Sequence, residues 1–391
     1  MMIENLHFKF PFGLIGQDLI LKKNVQFELD NNGRIVNLSY QNFNKKEFID
    51  HKLEGNDIII PGLINSHTHI ADSFAKEKGY NKGLIQVVAP PNGIKHKLLE
   101  KTQNNIKKKS IQSAAFEMLG NGITFFADFR ERGVEGIKLL KDSLTSIPIK
   151  YKIFGRFQKK EEIKTIFQNA DGIGLSSYSK ASETIKKDLR IYKGKYNKQI
   201  ACHHAEYRRK PDLFNTLIDD KLIDLIVHGT QLLEKDLILL KRSNLSLVLC
   251  PRCNGYFGVG IPPIEKILKQ KIPISLGTDN LMVNSADLFE EMRFLFLIFK
   301  LNNFDKEISL NAKELLKMCT INASKALDLD RDIGCIEDGK SADFNVIDLS
   351  DPNLYIPYID KKAIYSLLVQ RVNSKNIKKV YINGKKTYER K

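Results

Sequence analysis

The chain of 391 residues has no tryptophan, only five cysteines and 12 prolines, and no apolar run approaching the ~20 residues that span a bilayer. The missing run excludes a helical membrane protein, and the start Met1-Met-Ile-Glu-Asn-Leu-His7 lacks the basic head, apolar centre and small-residue cleavage site of a secretory signal. The expected location is therefore the cytoplasm. Cys202, Cys250, Cys253, Cys319 and Cys335 form an odd, sparse set, which argues against a disulfide framework. Cys250 and Cys253 make one C-x-x-C, half of a zinc site in spacing, but no second pair or nearby histidine completes it. No internal repeat of fixed period and no low-complexity tract is present.

What is abundant is positive charge. Lys+Arg 62 against Asp+Glu 46 gives +16, a balance suited to nucleic acid or an acidic surface if clustered on one face. The basic residues are instead spread along the chain. The runs Lys107-Lys-Lys109 and Arg208-Arg-Lys210 have no interleaved aromatics and are expected to be solvated faces.

The two chain ends share an alternating apolar/polar texture with turn signals at Asn31-Asn-Gly33 and Asn383-Gly384. Between them, short apolar runs alternate with longer amphipathic segments. Candidate strands are Ile58–Asn65, Gly122–Asp128, Lys150–Gly155, Gly172–Ser177, Gln199–His204, Leu222–His228, Leu245–Cys250 and Ile272–Asp279. Helix-like stretches include 97–119, Leu232–Arg242 and Ala286–Lys300. Eight β/α units over ~250 residues are the count of a (β/α)8 TIM-type barrel, with a doubly wound open sheet as the structural rival. The expected organisation is α/β. Residues 59–333 would form the catalytic barrel, and residues 1–58 and 334–391 would together build a small β-sandwich module.

Histidines fall where a barrel concentrates its chemistry. His67 and His69 stand two apart, so on a strand they project to one face. His203, His228 and Asp279 end three further candidate strands, and barrel closure would bring all five groups to one rim. Any one of them alone reads more simply as a hydrogen-bonded structural residue or a helix cap. Taken together, they offer imidazoles and a carboxylate converging from separate strands, which is the donor set of a metal site.

With these residues in place the sequence resembles a family. Pro61-Gly-Leu-Ile-Asn-Ser-His-Thr-His69, His203-x-x-Glu206, His228, Cys250-Pro-Arg-Cys-Asn254 and Ser275-Leu-Gly-Thr-Asp-Asn280 are similar, in order and spacing, to the amidohydrolase superfamily. The branch resembled is the cytosine deaminase, chlorohydrolase and methylthioadenosine/adenosylhomocysteine deaminase group. The resemblance implies that His67, His69, His203 and Asp279 bind one divalent metal ion, Zn2+ first and Fe2+ or Mn2+ as alternatives for N and O donors. It also implies that Asp279 accepts a proton from the attacking water, His228 orients that water, and Glu206 shuttles a proton to a ring nitrogen. The choice of His203 over His204 rests on the His-x-x-Glu spacing, and it requires the strand to break locally, because a regular strand would put His204 on the face of Glu206. The candidate fourth strand carries no lysine for a metal-bridging carbamate, and Lys180 is the only one nearby, which favours a single metal.

The expected activity is hydrolytic deamination of an amino-substituted N-heterocycle, purine- or pyrimidine-like. The alternatives are opening of a lactam in the manner of imidazolonepropionase and, remotely, an inactive basic barrel that binds nucleic acid. Arg130 could clamp a substrate anion or could pair with Asp128, Glu131 or Glu135, and Arg132 shares both roles. His96 and Asn284 are further substrate-contact candidates, with Ser285 a contact or a helix cap. The relatives' Trp-Pro after the first strand is absent here, replaced by Val87-Val-Ala-Pro-Pro-Asn-Gly-Ile-Lys-His96, so the sequence does not name a substrate. The expected partner is a small molecule rather than a membrane or nucleic acid. A homodimer is common among the relatives, although no interface signature is legible.

Overall fold

The structure, a computed structural model, describes residues 7–43, 49–50, 56–303, 309–359 and 361–391. Eight parallel strands form the central sheet in chain order: Leu63–His69, Ile123–Arg130, Lys150–Gly155, Gly172–Leu175, Gln199–His204, Leu225–His228, Ser246–Leu249 and Ile274–Leu276. The first two read as unbroken runs of buried residues, as strands covered on both faces require. After the last strand, Asp279–Asn280 pairs in parallel with Thr68 and His69 of the first, and that contact closes the sheet into a barrel.

Closure depends on Gly277. A Cβ there would lie 2.8 Å from the Cβ, N and O of His67, so only glycine lets the eighth strand pass the first this closely. Asn65 ties the seam, donating to Thr278 Oγ1 at 2.7 Å and accepting from the Thr278 amide at 3.0 Å.

The first candidate strand, Ile58–Asn65, is divided in the structure. Asp57–Pro61 joins a second sheet, and the barrel strand begins only at Leu63. Gly62 is the switch: its amide bonds to Asp343 O, and a Cβ would overlap Thr124 at 2.2 Å. The shift carries His67 and His69 into the strand's C-terminal end. The second sheet has seven strands, in the order Lys385–Glu389, Ile377–Ile382, Phe344–Asp348, Asp57–Pro61, His7–Ile15, Ile20–Leu29 and Ile35–Gln41. All of its pairings are antiparallel except that of His7–Ile15 with Asp57–Pro61. Both chain ends therefore build one module, with an apolar centre of stacked and edge-on rings from Phe8, Phe27, Phe344 and Tyr381.

The helix-like stretch 97–119 resolves into two helices, Ile94–Lys101 and Asn104–Gly120. Lys107 departs from the expected solvated face. It is buried, with Nζ donating to Leu99 O at 3.1 Å, while its two neighbours are exposed. No helix among the described residues is long and apolar enough to cross a membrane.

Barrel and module are joined through Asp343. Its buried carboxylate takes Lys150 Nζ from the third barrel strand at 2.7 Å, Ser341 Oγ at 2.7 Å and the Asn383 amide at 2.8 Å. Asp343→Ala is expected to lower unfolding stability by about 3 kcal/mol in urea titration, because it leaves an ammonium and two donors without their acceptor. An unchanged midpoint would show that the junction contributes nothing.

Candidate metal centre and pocket

Three strand ends leave ordinary strand geometry where they enter the site. Ala205 has φ +51°, His228 +79° and Asp279 +59°, left-handed values uncommon outside glycine. The turn at Ala205 supplies the break that the His203 assignment requires. His203 points into the barrel mouth, while buried His204 packs against Phe214 with ring centroids 5.1 Å apart. Glu206, carried round by the same turn, faces the site rather than Arg208 or Arg209. Arg209 is held instead by a bidentate pair to buried Asp236, at 2.6 and 2.7 Å.

His67 Nε2 lies 3.2 Å from Asp279 Oδ1 and 3.2 Å from His203 Nε2, and His69 Nε2 lies 3.5 Å from the same Asp279 oxygen. Ligands about 2.0–2.1 Å from a tetrahedral zinc ion stand roughly 3.3 Å from one another, so this donor set fits such an ion. The ring orientations agree. His203 Nδ1 donates to Leu175 O at 3.2 Å and His69 Nδ1 faces Glu131 Oε1 at 2.9 Å, which leaves both Nε2 lone pairs directed inward. Burial pushes the pKa of His67, His69 and His203 down, that of His69 to about 3, so the imidazoles are neutral as metal ligation demands.

His228 is 1% exposed, and its Nδ1 bonds to Asn254 Oδ1 at 3.1 Å. Asn254 is held in turn by donating to Thr230 Oγ1 at 2.8 Å. His228 Nε2 therefore faces the pocket, 3.7 Å from Glu206 Oε1. Burial, reinforced by the nearby Asp279 charge, raises the Glu206 pKa to about 8. That shift favours its protonated form at neutral pH.

Among the described residues, two other groupings of ligating side chains are already satisfied. His228, Cys250 and Asp279 converge, but burial raises the Cys250 thiol well above its usual pKa, and a protonated thiol is a poor ligand. His69, Asp72 and Glu131 converge on the ammonium of Lys95, which sits 2.6 Å from Asp72 and 2.7 Å from Glu131. All five cysteines are free and buried.

The pocket above the site has a volume of about 170 Å3, with Leu84, Val88, Pro90 and Phe257 on its apolar wall. Lys95, Arg156, Ser176, Tyr207 and Asn280 supply its other polar groups. Sequence reasoning missed Lys95, Arg156, Asp72 and Asn254. The available signal was the pair of ionisable residues closing the second and third strands, Glu131 and Arg156, at the catalytic rim.

The substrate-contact candidates go elsewhere. Arg130 does not line the pocket: it is buried and paired with Glu131 at 2.7 Å and Asp128 at 3.3 Å, the ion-pair role weighed from the sequence. Asn284 donates to Thr278 O at 3.1 Å and supports the seam. His96 Nε2 bonds to Val88 O at 3.0 Å and lines an outer cavity beyond the pocket. Arg132 pairs with Glu135 at 3.3 Å. Ser285 does not cap the following helix, because Asp287 accepts from the amides of Phe289 and Glu290.

The amidohydrolase family pattern matches residues 58–387, and the chain belongs to that family, whose members hydrolyse carbon–nitrogen and related bonds. An uncharacterized protein of Methanocaldococcus jannaschii is 35% identical over 364 residues, covering 88% of this chain and 91% of its own. A 5-methylthioadenosine/S-adenosylhomocysteine deaminase of Thermoanaerobacter pseudethanolicus is 27% identical over 372 residues, covering 86% and 83%. Among solved structures, an adenosine deaminase from Xanthomonas campestris with bound zinc superposes with a TM-score of 0.77 at 17% identity, over 98% of this chain and 92% of that one. The fold is therefore the amidohydrolase barrel with its β module.

Two measurements follow from this geometry. Purified protein is expected to hold about one zinc per chain by elemental analysis, and Asp279→Ala to hold almost none. Glu131→Gln, which weakens the hold on His69 Nδ1, is expected to lower metal affinity about 10–100-fold in a chelator competition. Unaltered affinity would remove Glu131 from the support of the site.

Proposed function

We propose that the protein is a mononuclear metal-dependent deaminase, which replaces the amino group of an N-heterocycle by oxygen and releases ammonia. The observation that carries this reading is the position of Glu206, a carboxyl group at the pocket floor beside the four ligands and 3.7 Å from His228. His67, His69, His203 and Asp279 would hold the ion. When bound, a divalent cation acidifies water and so makes hydroxide available at neutral pH.

The protein's own groups divide the proton work. His228, with its Nδ1 committed to Asn254, presents Nε2 as an acceptor that orients the attacking water. Asp279 takes the proton that water gives up. Glu206 gives its proton to the ring nitrogen next to the carbon under attack, which relieves the negative charge that addition would place there. Asp279 would then pass the water's proton to the amino group, whose bond to carbon breaks as ammonia leaves, while the hydroxyl proton returns to Glu206 as the carbonyl forms. Leu84, Val88 and Phe257 exclude water around a flat ring. A carboxyl poised to protonate a ring nitrogen favours loss of an exocyclic amine over lactam opening. The name of the Thermoanaerobacter relative supports the same reading.

The test is ammonia release by zinc-loaded protein across aminopurines, aminopyrimidines, pterins and their nucleosides and nucleotides. Glu206→Gln is expected to lower kcat by about 10^2–10^4-fold while metal content stays at the wild-type level. Ring opening without ammonia, or full activity in that variant, would overturn the assignment.

A further inference from the structure

Three cations form a strip leading away from the metal centre. Lys95 lines the inner pocket. Arg156 lines both the pocket and the outer cavity, and Lys180 lines the outer cavity alone. The two cavities share Pro90, Arg156 and Ser176 as a common wall. Their sizes differ in a way that matters: about 170 Å3 inside, enough for a ring system only, against about 690 Å3 outside, within the range of small-molecule sites. A substrate whose ring reaches the metal centre can lay the rest of its body in this outer cavity. It is larger than a second neighbouring cavity of about 310 Å3 bordered by Leu84, Ile85, Tyr207 and Phe257 and, unlike that one, is lined by cations.

Of the carboxylates lining the two cavities, Glu100 stands in the outer one without a cation partner among the described residues, while Asp279 and Glu131 are already committed. Asp279 belongs to the ligand set, and Glu131 is shared among Lys95, Arg130, Arg156 and His69 at 2.7–3.3 Å. Arg156 reaches Glu131 through one nitrogen at 3.3 Å, so its other donors are open to the cavity. Lys180 has no carboxylate within ion-pair distance among the described residues, and its nearest strong field is the like charge of Arg156. Two cations that share a cavity wall, one of them without a carboxylate, repel each other and attract a bound anion. Ser176 and Ser177 add hydroxyl donors on the same wall. A carboxylate would be satisfied by one guanidinium fork, whereas a phosphate ester has three oxygens and nearly two charges to distribute over such a set.

Resting on the deaminase reading, we infer that the substrate is a phosphorylated amino-heterocycle, with the ring at the metal centre and the phosphate between Arg156 and Lys180 in the outer cavity. The inference also assigns Arg156 and Lys180 as specificity-determining residues.

The experiment compares zinc-loaded protein on three sets: nucleosides, their 5′-monophosphates, and a nucleoside thioether bearing a carboxylate. Ammonia release and binding by calorimetry are both read. The expected result is a kcat/KM at least about tenfold higher for one monophosphate than for its nucleoside and the carboxylate compound. Arg156→Gln and Lys180→Ala are each expected to lower that value about tenfold or more, with the loss in KM. Equal or better use of the nucleoside or the carboxylate compound would overturn the inference and leave the deaminase reading standing. Monophosphate binding that is weakened by both substitutions, without ammonia, would uphold the phosphate site and overturn deamination. Absence of both binding and ammonia would overturn both.

Discussion

At the mouth of the barrel, imidazole nitrogens and a carboxylate oxygen are held 3.2–3.5 Å apart, with the Nε2 lone pairs of His69 and His203 turned inward. Such a gathering of acceptors is repulsive unless a cation lies among them, so the fold must impose it. The backbone does this by closing the barrel through Gly277 and by placing Ala205, His228 and Asp279 in left-handed conformations at the strand ends. Those conformations are costly in isolation, and the surrounding sheet over-determines them.

A layer of charge behind the ligands keeps this arrangement in register. Glu131 connects His69, Lys95, Arg130 and Arg156, so one buried carboxylate ties a metal ligand to two residues of the pocket wall. Burial opposes ionisation of Glu131, but the surrounding cations hold its pKa well below the usual range. The same layer explains why one ion suffices. The ammonium of Lys95 stands among His69, Asp72 and Glu131, where three ligating groups would otherwise face one another. Glu206 is treated differently from Glu131: desolvated and with no cation at hydrogen-bond distance, its carboxyl is pushed up to about 8. Two carboxyl groups in one cleft thus diverge: surrounding cations hold Glu131 ionised, while desolvation pushes Glu206 toward its neutral form.

Much of this was legible in the sequence. The eight-unit rhythm gave the barrel, and the spacing of His67, His69, His203, His228 and Asp279 pointed to groups that the structure does bring together. What escaped was what depends on packing rather than period. The division of the first strand at Gly62 is invisible to an apolar count, since Ile58, Ile59, Ile60, Leu63 and Ile64 form one run. Lys95 sits in a stretch that reads as a basic surface helix, and only the tertiary placement of Asp72 and Glu131 draws it inside. Arg130 shows the converse: an arginine at the catalytic rim reads equally as a substrate clamp or as an ion-pair partner, and burial decided for the second. The choice of His203 over His204 depended on a left-handed turn at Ala205, which no propensity assigns to alanine and which carries Glu206 to the His203 side.

The central claim is that His67, His69, His203 and Asp279 hold one catalytic ion while Lys95 fills the neighbouring place. Anomalous diffraction at the zinc edge from crystals of the zinc-loaded protein tests it most directly. The account predicts a single peak bonded to the three Nε2 atoms and an Asp279 oxygen, with the Lys95 ammonium still between Asp72 and Glu131. A second peak among His69, Asp72 and Glu131, or a metal bound through Cys250, would contradict it.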